Sequence, residues 1–204
     1  MVMAMAADMN QTAQYPESFL SWKTTHLLYF RLMIITLTGF MGVGKSTIAA
    51  RLAQHLFCRH ADLDHEIETG EHMSVEEIFA TRGEAHFRHL EERYLSNIID
   101  SCTDKVMVLS LGGGAIMSPV NQKLLKDKTY CIYLRASIET MAARLSKARK
   151  SRPLLKDKSE DELRTEIERL FQAREPGYEA VAKLVVNADK NSVHDILCTI
   201  INSI

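Results

Sequence analysis

The amino-acid sequence predicts an α/β fold built on a parallel sheet. Short apolar runs bounded by Gly, Asp or Ser alternate with longer stretches of helical periodicity, which is typical of stacked strand–helix–strand units. The run at 106–111 is almost wholly apolar and ends in three glycines, as expected of a buried strand that feeds a loop with an accessible backbone. A further apolar run, at 33–38, leads through a glycine-rich turn into a helical pattern.

The individual elements follow from the same patterns. Strands are predicted at 33–38, 60–62, 106–111, 130–134 and 185–186. Helices are predicted at 44–57, from Ser74 to Arg82, from Gly83 to Asp100, from Ser118, at 137–147, from Ser159 to Arg174 and from Ser192. Several of their starts carry capping signals, such as Ser74 with Glu77 three residues later and Ser118 followed by Pro119.

Length and composition restrict the class of protein. A chain of 204 residues suits one domain, and a formal net charge of -1 provides no general field for nucleic acid or a membrane surface. The sequence contains no run of about 18 apolar residues, so no membrane span is predicted. The four cysteines form no CxxC pair, so we interpret them as buried apolar residues of a cytoplasmic protein rather than as metal ligands or disulfides.

Two segments stand apart from the regular pattern. Residues 1–32 lack the basic start and apolar core of a signal peptide, and we predict a poorly ordered N-terminal extension before a single domain at 33–204. Residues 148–158 are dense in cations, contain a proline and show no clean periodicity. We predict that this segment is a mobile lid.

The strongest motif is the sequence from Gly39 to Ser46, which satisfies G-x-x-x-x-G-K-[ST] between a predicted strand and a predicted helix. Glycines allow backbone N–H groups to turn toward a phosphate, and the helix adds its positive N-terminus. Lys45 is predicted to bridge the β- and γ-phosphates of a nucleoside triphosphate, and the Ser46 hydroxyl to bind Mg²⁺. The alternative is a glycine-rich tight turn without a ligand.

A pair of aspartates follows the second predicted strand. Asp62 and Asp64 are two residues apart, so in an extended segment both carboxylates point toward the edge of the sheet where ligands bind. We assign Asp62 to the metal, through a water molecule, and Asp64 to the hydroxyl that attacks the γ-phosphate. The sequence leaves open whether Asp64 accepts the proton or only orients the hydroxyl, and whether the pair merely caps the next helix.

At this point the chain resembles the shikimate kinase family. The resemblance covers residue 33 to the C-terminus and is carried by motifs that occur in the order and approximate spacing of that family: GFMGVGKST at 39–47, DxD at 62–64, FRxxE at 87–91, LGGGA at 111–115, RPLL at 152–155 and RxxxY at 174–178. It implies a three-layer P-loop fold of the nucleoside-monophosphate-kinase kind, with a five-stranded parallel sheet and a closing lid. It further implies transfer of the γ-phosphate of ATP to the 3-hydroxyl of shikimate, on the route to chorismate and the aromatic amino acids.

The resemblance also implies roles for individual residues. Shikimate would be bound by Asp64, Arg88, Gly112, Gly113, Gly114 and Arg174, with the two arginines on its carboxylate. ATP would be bound by Gly42, Val43, Gly44, Lys45, Ser46, Thr47, Arg144 and Arg152. Lys45, Asp64 and Arg152 would be catalytic, and one Mg²⁺ per subunit would be held by Ser46 and Asp62. No partner beyond these ligands is expected, which predicts a monomer.

Alternatives remain at this stage. Arg144, the predicted adenine contact, could be a surface cation, as could Arg174 near a helix end, and Glu91 could either orient Arg88 or form a plain surface pair with it. A gluconate or nucleotide kinase would keep the phosphate loop without needing the other motifs together. A regulatory module that binds nucleotide without turnover is a further alternative, which the intact candidate catalytic residues disfavour.

Overall fold

The computed structural model of the 204-residue chain describes residues 33–147, 160–189 and 191–204. The predicted N-terminal extension and the predicted lid, with Arg152, therefore lie outside the described residues, as does the predicted helix cap at Ser159. Among the described residues, no helix is both long enough and apolar enough to span a membrane.

The described strands form one parallel sheet of five, as the family resemblance predicts. The strands are β1 (Met33–Thr38), β2 (Arg59–Asp62), β3 (Val106–Ser110), β4 (Tyr130–Arg135) and β5 (Leu184–Asn187). Their order across the sheet is β2-β3-β1-β4-β5, with Leu37 opposite Ser110 on one side and Ile132 on the other. The first strand of the domain is thus central, and its carboxyl end lies between those of β3 and β4.

Helices flank this sheet and complete the α/β architecture. They are α1 (Lys45–Leu56), α2 (Leu63–Glu71), α3 (Val75–Asp100), α4 (Pro119–Lys128), α5 (Ile138–Lys147), α6 (Glu160–Val181) and α7 (Val193–Ile201), with a short 3₁₀ turn at Ala115–Met117. The core consists of apolar residues of the central strands, fully buried as a parallel sheet requires, together with one face of each helix.

Several predicted boundary signals are confirmed. Ser74 and Glu77 form a reciprocal capping box at the start of α3, and Ser118 caps α4 ahead of a proline in the first turn. Gly83 interrupts α3 with φ 80 and ψ 170, a backbone conformation open essentially to glycine alone. The predicted break between two helical segments is therefore present at that residue.

Two predictions about these elements are wrong. The helix expected to end near Arg174 continues through Pro176 to Val181, since Tyr178 is fully buried and stacks on Tyr133 of β4 with ring centroids 5.2 Å apart. That packing outweighs the single backbone bond that a proline removes. The cysteines are not uniformly buried either, because Cys198 lies on the exposed face of α7, whose buried face carries Ile196 and Ile200.

Candidate active site

The predicted phosphate loop, residues 39–46, joins β1 to α1. Gly39, Gly42 and Gly44 have φ values of 141, 80 and 101, which a residue with a Cβ rarely adopts. Helix α1 begins at Lys45 with Gly44 as its N-cap and no side-chain cap. Its first backbone N–H groups are thus left for an anion, in agreement with the proposed phosphate site.

Contacts with neighbouring segments hold the phosphate loop in place. A Cβ added at Gly39 would lie 2.5 Å from the Leu134 carbonyl oxygen, so β4 presses directly against the start of the loop. The Lys45 ammonium donates to the carbonyl oxygens of Gly39 and Phe40 at 2.9 and 3.0 Å. Lys45 therefore lies over the loop, where its charge adds to that of the helix N-terminus.

Arg144, the predicted adenine contact, connects this loop to the segment after β5. Its guanidinium donates to the carbonyl oxygens of Val43 and Ala188, both at 2.9 Å. Asp189 accepts bonds of 2.8 Å from the backbone N–H and hydroxyl of Ser137, just ahead of the helix that carries Arg144. The interpretation of Arg144 as a plain surface cation is wrong, because both ends of its guanidinium are used between two loops.

The two residues proposed for the metal lie together at the edge of the loop. The Ser46 hydroxyl donates to Oδ2 of Asp62 at 2.9 Å, while Oδ1 of Asp62 accepts from the backbone N–H groups of Asp64 and His65 at 3.2 and 3.5 Å. Asp62 thus caps α2 and also faces the phosphate loop. A hydroxyl and a carboxylate oxygen beside a phosphate site suit Mg²⁺, which prefers oxygen ligands and keeps several waters. Among the described residues, no three His, Cys, Asp or Glu side chains form a metal cluster.

Asp64 lies in the first turn of α2 and lines the cleft next to the phosphate loop. Burial, together with the neighbouring charge of Asp62, raises its pKa from 3.8 to about 6, although Lys45 acts in the opposite direction. The carboxyl is therefore ionised at neutral pH but more basic than an ordinary aspartate. Such a group is suited to accepting a proton or a hydrogen bond from an alcohol.

Arg88 on α3 is held by two carboxylates. Nη1 donates to Glu91 at 2.6 Å, while Nε and Nη2 donate to Oε1 of Glu84 at 3.2 and 2.8 Å. Glu91 is only 1% exposed, so the alternative of a plain surface pair with Arg88 is wrong. Burial raises the pKa of Glu91 to about 7 against the opposing charge of Arg88, whereas Glu91 and Glu84 raise the pKa of Arg88 despite its burial.

The three glycines after β3, the glycine loop 112–114, pack against these side chains. A Cβ at Gly112 would lie 2.6 Å from Oδ1 of Asp64, and one at Gly114 would overlap the Arg88 guanidinium. A side chain at Gly112 or Gly114 would therefore displace Asp64 or Arg88. Gly113 is partly exposed, and Gly112 and Gly113 line the cleft beside the phosphate loop, whereas Gly114 is buried.

Arg174 reaches the same loop from α6. Its Nη1 is 3.5 Å from the Gly113 carbonyl oxygen, which also accepts a hydrogen bond from the Tyr178 hydroxyl, and its guanidinium lies 5.8 Å from the centre of the Phe40 ring. Arg174 is thus placed on the inner side of the helix, and the alternative of a surface cation near a helix end is wrong. We call Asp64, Arg88, Glu91, Arg174 and the glycine loop the acid pocket.

The phosphate loop and part of the acid pocket line one cleft of about 270 Å³. Its walls are formed by Met41, Gly42, Gly44, Lys45, Ser46, Thr47, Asp62, Asp64, Leu111, Gly112 and Gly113. Most of the predicted phosphate, metal and hydroxyl contacts are therefore brought together, while Arg88 and Arg174 adjoin the cleft through the glycine loop. Arg152, lying outside the described residues, is not placed.

Sequence reasoning missed Glu84 and Asp189. Glu84 precedes Arg88 by four residues, a spacing that places both on one helix face and could have indicated the pair. Asp189 contacts a segment 52 residues away in sequence, and no local pattern announces such a contact.

Comparison with known proteins agrees with this geometry. The sequence model of the family described as "Shikimate kinase" matches residues 41–204. Relatives with that name include a Zymomonas mobilis protein, 43% identical over 74% of this chain and 82% of its own length, and a Thioalkalivibrio sulfidiphilus protein, 37% identical over 80% and 82%. The solved structure of shikimate kinase from Acinetobacter baumannii in complex with shikimate matches with a TM-score of 0.77 at 30% identity, over 87% of this chain and 95% of the other. Shikimate kinase from Bacteroides thetaiotaomicron matches with a TM-score of 0.77 at 32% identity, over 84% and 97%. The chain therefore belongs to the shikimate kinase family.

Proposed function

We propose that this chain transfers the γ-phosphate of ATP to the 3-hydroxyl of shikimate, giving shikimate 3-phosphate and ADP. The observation that carries the proposal is the position of Asp64, which lies in one cleft with the phosphate loop and against the glycine loop beside Arg88. A carboxylate between a phosphate site and a pair of arginines matches a small acid that carries a reactive hydroxyl. Membership of the family makes the acid shikimate.

The nucleotide is proposed to bind with its β- and γ-phosphates on the phosphate loop. The backbone N–H groups at the start of α1 and the Lys45 ammonium would neutralise the charge on the phosphoryl oxygens. Lys45 would then exchange the loop carbonyls of Gly39 and Phe40 for phosphate oxygens. Arg144 would hold the Val43 backbone in position from the opposite side while facing the base.

The acid is proposed to bind with its carboxylate between Arg88 and Arg174. Planar guanidinium groups bind a carboxylate through paired N–H donors, which fixes the ring as well as its charge. The backbone of Gly112 and Gly113, which lines the cleft, would contact the ring hydroxyls. This arrangement would place one hydroxyl at Asp64 and orient it toward the γ-phosphate.

Asp64 is proposed to accept the proton of that hydroxyl as the oxygen attacks phosphorus. Its pKa of about 6 makes it ionised at neutral pH and basic enough to take the proton as charge develops on the attacking oxygen. Burial keeps this pKa high, and the Asp62 carboxylate beside it adds to the effect.

Further parts of the proposal extend beyond the described contacts. Ser46 and Asp62 would hold one Mg²⁺, which would supply charge neutralisation on the phosphates. Residues 33–204 would form a single kinase domain, with 148–158 as a lid whose Arg152 covers the transferred phosphoryl group and with 1–32 as an extension. We also propose that the protein acts as a monomer in the cytoplasm.

The test is an ADP-release assay with MgATP against shikimate, quinate, gluconate and nucleoside monophosphates. We expect turnover with shikimate and no comparable turnover with the other compounds. Turnover of another compound in this panel instead of shikimate would contradict the assignment of the acid pocket while leaving the phosphate site in place. Nucleotide binding without any turnover would contradict the kinase proposal itself.

A further inference from the structure

The exposed carboxylate of Glu84 occupies the edge of Arg88 that is best shaped to bind a substrate carboxylate. Nε and Nη2 of a guanidinium form a parallel pair of donors, and in this structure both donate to Oε1 of Glu84, at 3.2 and 2.8 Å. Nη1 is occupied by Glu91. Arg88 therefore has both sides of its guanidinium occupied by protein carboxylates before any ligand arrives.

The two carboxylates differ in how easily they can leave. Glu91 is 1% exposed and confined beneath the glycine loop, where a Cβ at Gly112 would lie 2.9 Å from its Oε1. Glu84 is 64% exposed and follows the break at Gly83 directly, so its side chain can turn into solvent at little cost. Glu91 is thus a fixed partner of Arg88, and Glu84 is a replaceable one.

The charge balance of the acid pocket also favours displacement. Arg88 alone contacts two carboxylates, Glu84 and Glu91, so when both are ionised its immediate surroundings carry an excess of negative charge. An anionic ligand would add to that excess. Release of Glu84 into water removes one negative charge from the pocket as the ligand brings one in.

We propose that Glu84 sets the affinity for the acid substrate by competing with its carboxylate for Arg88. Glu84 holds the empty guanidinium in place and is exchanged for the ligand on binding. It is a positioning residue in the free protein, and it lowers the affinity for the acid because its contact with Arg88 must be given up on binding. This inference rests on the proposed function, because it takes shikimate as the acid that binds at Arg88.

The test compares Glu84→Gln with the wild-type protein in shikimate binding by calorimetry, alongside turnover. Glutamine keeps the size of the side chain but weakens its bond to Arg88, so we expect the Kd for shikimate to fall about two- to fivefold, the value of an exposed ion pair. The KM for ATP should stay the same. An unchanged Kd would show that Glu84 does not compete with the ligand, and a higher Kd would show that it supports Arg88 in the complex. Either result would overturn the proposal.

Two controls separate competition from other causes. Glu76→Gln removes a charge from an exposed glutamate at the start of the same helix and should leave the Kd unchanged; an equal gain there would mean that the general charge of α3 is responsible. Uncharged methyl shikimate should bind Glu84→Gln and the wild type alike. A structure of the shikimate complex should show Glu84 turned away from Arg88, and retention of both contacts would contradict exchange.

The same experiment distinguishes this inference from the proposed function. Failure of the wild-type protein to phosphorylate shikimate would remove the proposed substrate and the inference with it. Normal wild-type turnover combined with an unchanged Kd in Glu84→Gln would remove only the role of Glu84.

Discussion

The phosphate loop is drawn from one stretch of chain, whereas the acid pocket is assembled from four. Residues 39–46 provide the loop by backbone conformation, with glycines at positive φ and a helix N-terminus behind them. The acid pocket instead joins α2, α3, the glycine loop and α6, and depends on side chains that hold one another through hydrogen bonds. Binding of a phosphate, common to many enzymes, requires the backbone of one loop and the neighbouring Lys45. Recognition of one acid requires long-range packing.

Substitutions should therefore affect the phosphate loop and the acid pocket separately. Asp64 lies where the two meet, and its substitution should give the largest effect. Asp64→Asn removes the proton acceptor but keeps the size of the side chain, so we expect kcat to fall by about 10²–10⁴. The KM for ATP should change by no more than about twofold, because the phosphate contacts are unaffected. Steady-state kinetics of purified variants would check this, and a kcat near that of the wild type would remove Asp64 from the chemistry.

Two glycine substitutions should each raise the KM for a different substrate. A Cβ at Gly114 would overlap the Arg88 guanidinium, so Gly114→Ala should raise the KM for shikimate about 10- to 100-fold through displacement of that arginine. Gly44 has open space around it but a φ of 101, so Gly44→Ala should strain the phosphate loop by roughly 1–2 kcal/mol and raise the KM for ATP instead. The paired measurement is the KM of both variants for both substrates. Equal damage to both would contradict the separation.

The pH dependence of activity should report on Asp64, which lies between the phosphate loop and the acid pocket. Asp64 must be ionised to accept the hydroxyl proton, and its pKa is raised to about 6. We expect kcat/KM for shikimate to be level at pH 7 to 8 and to fall about tenfold per unit below pH 6. Circular dichroism at each pH would exclude unfolding as the cause. An activity that stays level down to pH 5 would show that Asp64 only orients the hydroxyl.

The smallest expected effect is on stability, and it has the opposite sign to the effect on turnover. An aspartate whose pKa rises from 3.8 to about 6 on folding contributes no penalty below pH 4, and it destabilises the native state as pH rises through 6. Asp64→Asn should therefore increase the free energy of unfolding by on the order of 2 kcal/mol at pH 8 and by nothing at pH 4. Urea denaturation at the two pH values would measure this. A loss of stability at pH 8 would contradict the burial cost assigned to Asp64.

The difference between the phosphate loop and the acid pocket also explains how much the sequence could predict. The phosphate loop, the break at Gly83 and the helix caps depend on neighbouring residues, and short patterns predicted them well. The end of α6 depends on Tyr178 packing against Tyr133, 45 residues earlier in the chain, so local patterns could not place it. The resemblance supplied Arg88 and Arg174, but the second carboxylate on Arg88 became visible only in the structure.

Asp62 shows why a local pattern can support two interpretations at once. The sequence offered metal binding and helix capping as alternatives, yet the structure shows one oxygen capping α2 while the other accepts from Ser46. A carboxylate has enough lone pairs for both. The observed cap therefore does not exclude metal binding by the other oxygen, which stays a proposal.

The central place of β1 in the sheet bears on how the protein is made. Its partners β3 and β4 are synthesised about 70 and 95 residues later, and the Leu134 carbonyl of β4 packs closely against Gly39 at the start of the loop. A growing chain that has released only residues 33–100 therefore carries the whole phosphate-loop motif without its supports. During synthesis, nucleotide binding should appear only after β4 has left the ribosome.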